Sequence, residues 1–413
     1  MAHADVVIVG AGLAGCSVAW HLAPHARVLL LEQAEQPGAE ASSQNAGMIR
    51  RLGEDPYERA LALRTHAWLE DPGEDWADLA VSRVTGAVLA LAHDRYHLHD
   101  AAAHLRALGV AIESTDRPAE VAPALTGSPV PFAWVMPEER VADAHAVLTG
   151  FLRGLRRHGG EVRPRTEVVG LLVQGGRVAG VQTAAGPIPA GRVVLAAGAW
   201  SAALARTAGL RRPLIPVRRT LLQTAPHSLS APDHPWTWVD DVGIYVRPET
   251  GGWLCSPCDE AVEPPPPGPG SRGPVEPEPR ALAADKLERW LPAVADIRFT
   301  GGWTGLRTFA PDRRPFLGAD PDLEGLWWAA GLGGFGVTCS YATGEVVAAW
   351  MRGQTVPWMH APSVSPGRPL PTRWALRPTG SLDATRLEDV GLPDPTAARS
   401  STSAAAAASA TRR

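Results

Sequence analysis

The chain opens on an unbroken apolar run, VVIV at 6–9, which passes through GAGLAG into CSVAWHLA at helical spacing. That order predicts a strand buried on both faces, a glycine turn and a helix. RVLLLE (27–32) predicts a second buried strand, and ERALALRTHAWLE (58–70) has the period of a helix. AHAVLTGFLRGLRRHG (144–159) predicts another helix, stopped by Gly159 and Gly160. Between 167 and 200 the pattern becomes a meander of short apolar runs cut by turn dipeptides. Its last run, RVVLAAG, is apolar throughout, as in a strand returning to a central sheet.

LIPVRRTLLQT (214–224) and DVGIYVRPETGGWLCSP (241–257) read as strands of a second, largely antiparallel sheet. EPPPPGPGSRGPVEPEP (263–279) has no core-forming pattern and predicts a proline-rich surface insertion. GLWWAAGLGGFGVTCSYATGEVVAAWMRG (325–353) returns to strand, glycine loop and helix. From about 360 Pro, Ser, Ala and Arg dominate, which predicts a mostly disordered tail. No internal repeat is visible.

Composition narrows the class. A length of 413 residues suits two domains with loops, and 45% hydrophobic with 20% charged residues is ordinary for a soluble chain. A net charge of −4 gives no basic footprint and argues against a nucleic-acid partner. No apolar run approaches the roughly 20 residues of a transmembrane segment. The glycine motif starts close to residue 1, without space for a signal peptide, so the expected compartment is the cytoplasm. There are 38 arginines and one lysine, Lys286, so an arginine is not singled out by its type alone. Cys16, Cys255, Cys258 and Cys339 are too few for a disulfide framework. CSPC (255–258), with no second pair or nearby histidine, reads as small core residues at a strand end, and no metal site is expected.

The chemistry starts at GAGLAG. Gly10 permits the sharp turn, Gly12 lets backbone N–H groups reach a pyrophosphate, and Gly15 allows helix to pack on strand. Leu13 and Ala14 open the helix. Glu32, 22 residues after Gly10, ends the next strand, where a carboxylate bonds ribose hydroxyls; Gln33 follows it. Strand, turn, helix and acid together predict a dinucleotide site. NAD and FAD share this fingerprint, and three further features favour FAD. Small residues follow the acid, with Ser42, Ser43, Asn45, Ala46, Gly47 and Met48 placed to run beside an extended cofactor. The 167–200 meander replaces a helical crossover and brings Val168, Ala197 and Gly198 towards the site. A second glycine loop, Gly333, Gly334, Phe335, Gly336, Val337 and Thr338, leads into a helix whose positive end suits the pyrimidine edge of a reduced flavin.

VVIVGAGLAG…LLLE, SSQNAGMI, VVLAAGAW, GLRTFAPDRRPFLG and GLGGFG resemble, in order, the signature segments of the D-amino-acid oxidase superfamily. That group includes glycine oxidase, monomeric sarcosine oxidase and the D-amino-acid dehydrogenases. The similarity covers about 5–353, with GIYVRPETGGWLCSP and GGWTGLRTFAPD most similar to stretches of D-arginine dehydrogenase. The resemblance implies an α/β fold with a Rossmann-like FAD-binding domain and an α+β substrate domain built on a mainly antiparallel sheet. Both are discontinuous: 1–80, 141–213 and 301–355 for FAD, 81–140 and 214–300 for substrate, with 356–413 as the tail.

It further implies oxidation of an amine C–N bond to an imine by hydride transfer to flavin, followed by hydrolysis to a keto acid and ammonia. On this resemblance Arg307 grips the substrate carboxylate, a task suited to a planar guanidinium, and also adjoins the flavin. Tyr245 touches the same carboxylate, and Arg219 supplies a second cation, with Arg218 beside it as the alternative register. Met48 stands where the arginine-selective relative has a histidine, and the stretch around Leu52 and Gly53 where it has a pocket tyrosine. Gly86 replaces the acid that reads a guanidinium, which argues for a neutral rather than a cationic side chain. Trp236 and Trp238 fall near two apolar pocket positions, where they wall the pocket, fill it or simply pack the sheet.

WTGLRT (303–308) lacks the cysteine that anchors flavin in sarcosine oxidases, so FAD is expected to be non-covalent. The oxygen-activating lysine of those enzymes has no counterpart either, which favours a dehydrogenase passing electrons to a quinone or another carrier. An oxidase of glycine or another small amine, using O2, stays open. So does a non-catalytic flavoprotein used as an assembly module.

Overall fold

The computed structural model describes residues 4–371 and two short strands, Arg373–Trp374 and Thr385–Arg386. Val6–Val9 is buried along its whole length because it lies inside a six-stranded sheet. The order is Phe316–Ala319, Leu326–Ala330, Val193–Leu195, Val6–Val9, Val28–Leu31 and Glu161–Arg163. All neighbours are parallel except the edge strand Phe316–Ala319. Helices Leu13–Leu22, Ala144–Arg157 and Ser340–Met351 cover one face. The other is covered by a three-stranded antiparallel sheet, Val168–Gln174, Arg177–Thr183 and Gly186–Pro189, with helix Ser201–Thr207. Cover on both faces is what the continuous apolar runs require.

A nine-stranded sheet forms the second layer. Its members are antiparallel except where Trp236–Val239 runs parallel to Ala87–Leu91. The long strand Phe299–Phe309 pairs with Ile215–Thr224 from end to end. The boundary expected at 301 therefore falls inside a strand of this sheet, and the chain returns to the six-stranded sheet only at Phe316. Its pairing partner lies some 80 residues away, so nothing local marks the change of layer.

Two other expectations are corrected. Pro277 and Pro279, assigned to the proline-rich insertion, begin helix Pro277–Trp290, where early prolines cost no hydrogen bond. Residues 356–371, expected to start the disordered tail, pack onto the first domain. Val356, Met359 and Val364 are buried in its core, and Arg368 clasps Asp312 with Nε and Nη2, both at 2.7 Å. Three apolar residues in a Pro/Ser background were enough to dock the segment. The remaining tail, apart from the two short strands, lies outside the described residues.

The helical face carries an aromatic cluster. Trp68 stacks on Tyr341 at 4.9 Å and meets Trp76 edge-on at 5.0 Å, while Trp20 donates Nε1–H to Asp75 at 2.8 Å. Helix Ala144–Arg157 makes room for these rings with glycines. A Cβ on Gly150 would stand 2.0 Å from Trp76 Cε2, and one on Gly154 2.2 Å from Trp20 Nε1. Glycine to alanine in a helix normally stabilises by about 0.5–1 kcal/mol. Here the sign reverses. Gly150→Ala should destabilise by about 1–3 kcal/mol through overpacking, read as a lowered denaturation midpoint at unchanged slope.

Candidate active site

Gly10 has φ +100°, and a Cβ there would lie 2.5 Å from Ala196 O, so the turn crosses the neighbouring strand at backbone contact. A Cβ on Gly15 would stand 1.9 Å from Gly10 O, which explains how helix Leu13–Leu22 seats directly on the turn. Gly12 precedes that helix and brings no side chain of its own, and the Ser42 hydroxyl lies over the helix end, its Oγ accepting from Leu13 N at 3.0 Å. The Glu32 carboxylate accepts from Ala11 N through one oxygen and Ala34 N through the other, both at 2.9 Å. It thereby fixes the loop, with Gln33 N contributing as well, and acceptor capacity remains on the carboxylate. Burial raises its pKa.

These groups open onto a cavity of about 930 Å³ between the two layers. Of the candidate cofactor contacts, Gly10, Gly12, Leu13, Ala14, Glu32, Gln33, Ser42, Asn45, Ala46, Gly47, Met48, Val168, Ala197 and Gly198 line it. So do Arg307 and the whole loop Gly333–Gly334–Phe335–Gly336–Val337–Thr338. Gly15 and Ser43 do not. Gly15 is packed beneath the turn, and Ser43 points outward to bond Ala39 O at 2.8 Å. Thr338 Oγ1 donates to Met48 O at 3.2 Å and accepts from Arg50 N at 3.4 Å, tying the second glycine loop to the stretch after the acid.

Arg219, Tyr245, Trp236, Trp238 and Arg307 line the other end. Arg219 pairs with Gly305 and Val217 with Arg307, so the two arginines are diagonal neighbours on one face of the ladder. Between them sits Glu260, which the sequence reading missed. Its carboxylate meets Arg313 Nη2 at 2.6 Å, Arg307 Nη2 at 3.1 Å and Arg219 Nη2 at 3.5 Å. Burial pushes Glu260 up, but the Arg313 hydrogen bond and the three guanidinium charges outweigh it and hold it at about 2. Burial and the adjacent Arg219 charge push Arg307 down to about 9, still protonated at neutral pH. Nε of Arg219 and Nε of Arg307 are buried without a hydrogen-bond partner. Tyr245 faces Trp238 across the strands with ring centroids 5.1 Å apart, and burial raises its hydroxyl so that it stays a neutral donor.

Gly86 does not line the cavity, but acids do: Asp240, nearly inaccessible, pairs with Arg50 at 3.2 Å and His97 at 3.1 Å. Asp241 is spent on the backbone N–H groups of Ala92 and His93. Lys286 sits behind the wall, its Nζ donating to Gly243 O at 2.9 Å and Pro257 O at 2.8 Å. All four cysteines are buried and unbridged.

The proline-rich segment belongs to this site rather than to remote surface. Residues 263–276 cross the cavity, with Pro267, Gly268 and Ser271 in its lining. Glu40 holds them by accepting from Gly270 N at 2.7 Å, Ser271 N at 3.0 Å and the Ser271 hydroxyl. Trp200 Nε1 donates to Pro266 O at 3.0 Å, and Arg272 lies 5.0 Å over Trp303.

Residues 5–350 match the family model described as FAD dependent oxidoreductase. This chain belongs to that family. It is 31% identical over 389 residues to a glycine oxidase of Pseudomonas aeruginosa, spanning 88% of this chain and 99% of the relative. It is 28% identical to a D-amino acid dehydrogenase of Paramagnetospirillum magneticum, over 84% of this chain and 95% of that one. Its fold matches the crystal structure of glycine oxidase from Geobacillus kaustophilus with a TM-score of 0.76 at 22% identity, covering 90% and 100% of the two chains. The oxidoreductase is thus an FAD-dependent flavoprotein acting on amines or amino acids. No helix among the described residues is long and apolar enough to cross a membrane.

The residues fit the cofactor. The side-chain-free crossing at Gly10 and Gly12 leaves the cradle a pyrophosphate needs, and Glu32 stands at one end of the same cavity with acceptor capacity to spare. The sequence reading found the contiguous motifs. It missed Glu40, Arg50, Glu260 and Arg313, whose partners are distant in sequence. The segment CDEAVE after the CSPC strand was the only local hint of Glu260.

Acid or heat should release all flavin from the purified protein as FAD; flavin retained by the precipitate would show a covalent link. Glu40→Ala removes three hydrogen bonds to a carboxylate, and such bonds contribute about 1.5–3 kcal/mol each net of exchange with water, less where solvent reaches them. FAD dissociation should quicken at least tenfold, measured by recovery of flavin fluorescence on dilution.

Proposed function

We propose that the oxidoreductase oxidises the C–N bond of a D-amino acid with a non-cationic, neutral side chain, yielding an imine that hydrolyses to a keto acid and ammonia. The observation that carries this reading is the half-buried Arg219–Arg307 pair, with buried, unpartnered Nε donors beside the neutral hydroxyl-bearing ring of Tyr245. Two partly desolvated guanidiniums beside a neutral donor favour a carboxylate. Bound FAD supplies the two-electron acceptor.

The chain's own residues do the rest. Arg307 and Arg219 fix the carboxylate, and Glu260 fixes both guanidiniums so that the clamp is preorganised. The same positive charges disfavour an ammonium on the substrate and so favour the neutral amine that must give up a hydride. Trp236 and Trp238 exclude water along the side-chain path. A cationic side chain would meet Arg50, while the acid beside it, Asp240, is already engaged by Arg50 and His97. The D configuration rests on the D-amino acid dehydrogenase relative. The 31% identity to a glycine oxidase supports a second reading, a small-amine oxidase passing electrons to O2. Stoichiometric hydrogen peroxide during turnover of glycine, with larger D-amino acids inert, would favour the second.

Arg307→Ala should retain FAD and weaken substrate binding by about 2–5 kcal/mol, roughly 30-fold to several thousand-fold. Arg307→Lys should recover only part of that loss. Normal binding and turnover by Arg307→Ala would refute the clamp.

Anaerobic flavin bleaching and steady-state kinetics should rank uncharged D-amino acids, or glycine, above D-Arg and D-Lys. The expected margin is at least tenfold in kcat/KM, about 1.4 kcal/mol of transition-state binding. A panel led by D-Arg would refute the reading of the side-chain pocket.

A further inference from the structure

A fourth guanidinium stands in the cavity apart from the carboxylate clamp. Arg50 is almost inaccessible, and its guanidinium carbon lies 4.7 Å from the Trp238 ring centroid and 4.8 Å from that of Phe335. Two aromatic rings therefore flank the cation, whose N–H groups point outward in the guanidinium plane. One edge is used: Nη1 donates to Asp240 Oδ1 at 3.2 Å. Asp240 also serves His97 Nε2 at 3.1 Å, and that nitrogen lies 3.2 Å from Glu54 Oε1, so the carboxylate is shared and does not saturate Arg50. Trp238 contacts both Tyr245 and Arg50 and so links the clamp to this second cation. Arg307, Tyr245, Trp238 and Arg50 line one cavity, so a substrate held by its carboxylate at Arg307 and extending past Trp238 is directed towards Arg50.

We propose that Arg50 selects the substrate's side chain, and that preferred substrates end in a planar oxygen acceptor: a neutral carboxamide, within the class proposed above, or a carboxylate, which widens that class from neutral to non-cationic. This rests on the clamp reading of Arg307 and Arg219. The physical reason is the cost of unmade hydrogen bonds. A methyl-ended side chain that displaces water from Arg50 leaves buried donors unpaired, whereas a planar oxygen meets the fork edge-on. Sites built to hydrogen-bond a substrate group reject analogues lacking it far more strongly than apolar pockets reject a methylene. A cationic end is repelled outright.

The test uses the FAD-loaded protein and three unreactive probes of similar length: glutarate, glutaramate and pentanoate. Their binding is followed by the change in flavin absorbance, without turnover. Glutarate and glutaramate should each bind at least tenfold more tightly than pentanoate. Arg50→Met should abolish that preference. Arg50→Lys should restore it for glutarate only, since an ammonium keeps the charge but loses the fork. Asp240→Asn removes the competing carboxylate and should tighten glutarate further, which gives a variant of opposite sign should Arg50→Met fail to fold. Equal binding of all three probes by the unaltered protein would overturn the proposal and leave the clamp standing, as would a preference that survives Arg50→Met or an Asp240→Asn variant with no gain. Failure of all three probes to bind would overturn the clamp and this proposal together.

Discussion

Desolvating a guanidinium is expensive, and this fold does so around one cavity, fully for Arg50 and in part for Arg219, Arg307 and Arg313. Arg219, Arg307 and Arg313 converge on the single carboxylate of Glu260, and Arg50 shares Asp240 with His97. Such an arrangement holds only if each charge finds its partner at close range, which ties the geometry of the second sheet to the site. The long ladder between Ile215–Thr224 and Phe299–Phe309 sets Arg219 and Arg307 side by side. Gly305 lets Gln44 of the opposing cofactor layer pack close, because a Cβ there would fall 2.2 Å from Gln44 Oε1 and 3.0 Å from its Cβ. Electrostatic need and close approach of the layers are therefore one constraint.

The two layers divide the work by backbone chemistry. The parallel sheet ends in turns stripped of side chains, where N–H groups and a helix end serve a polyanionic cofactor. The antiparallel sheet presents long side chains at alternating positions, which suits recognition of a small molecule. The proline-rich crossing joins the two. Its prolines leave few N–H groups needing partners, and it is held by three bonds to Glu40, one from Trp200, a backbone pair between Gly273 and Thr304, and Glu263 N donating to Pro216 O.

What could be read from sequence was what is contiguous. GAGLAG with Glu32, the returning strand at 193–195 and the second glycine loop are local patterns whose physics is complete within a few residues. Glu260 and Glu40 were illegible because a lone acid in a loop has no signature until its partners arrive, 53 residues away for Arg313 and some 230 for Gly270. Arg50 was hidden for another reason. Among 38 arginines its type carries no information, and its aromatic neighbours come from both domains. The layer change at Phe316 and the docking of 356–371 escaped for the same want of local signal.

Lys286 has a use that its burial creates. It is the only side-chain amine in the chain, and two backbone carbonyls hold it beneath helix Pro277–Trp290. Every other basic side chain is a guanidinium or an imidazole, neither of which forms a stable product in reductive methylation. The α-amine aside, that reaction therefore has one target, reachable only when that helix lifts from the sheet behind the substrate wall. The protein carries a native, single-site reporter of local opening in the half of the molecule that chooses its substrate.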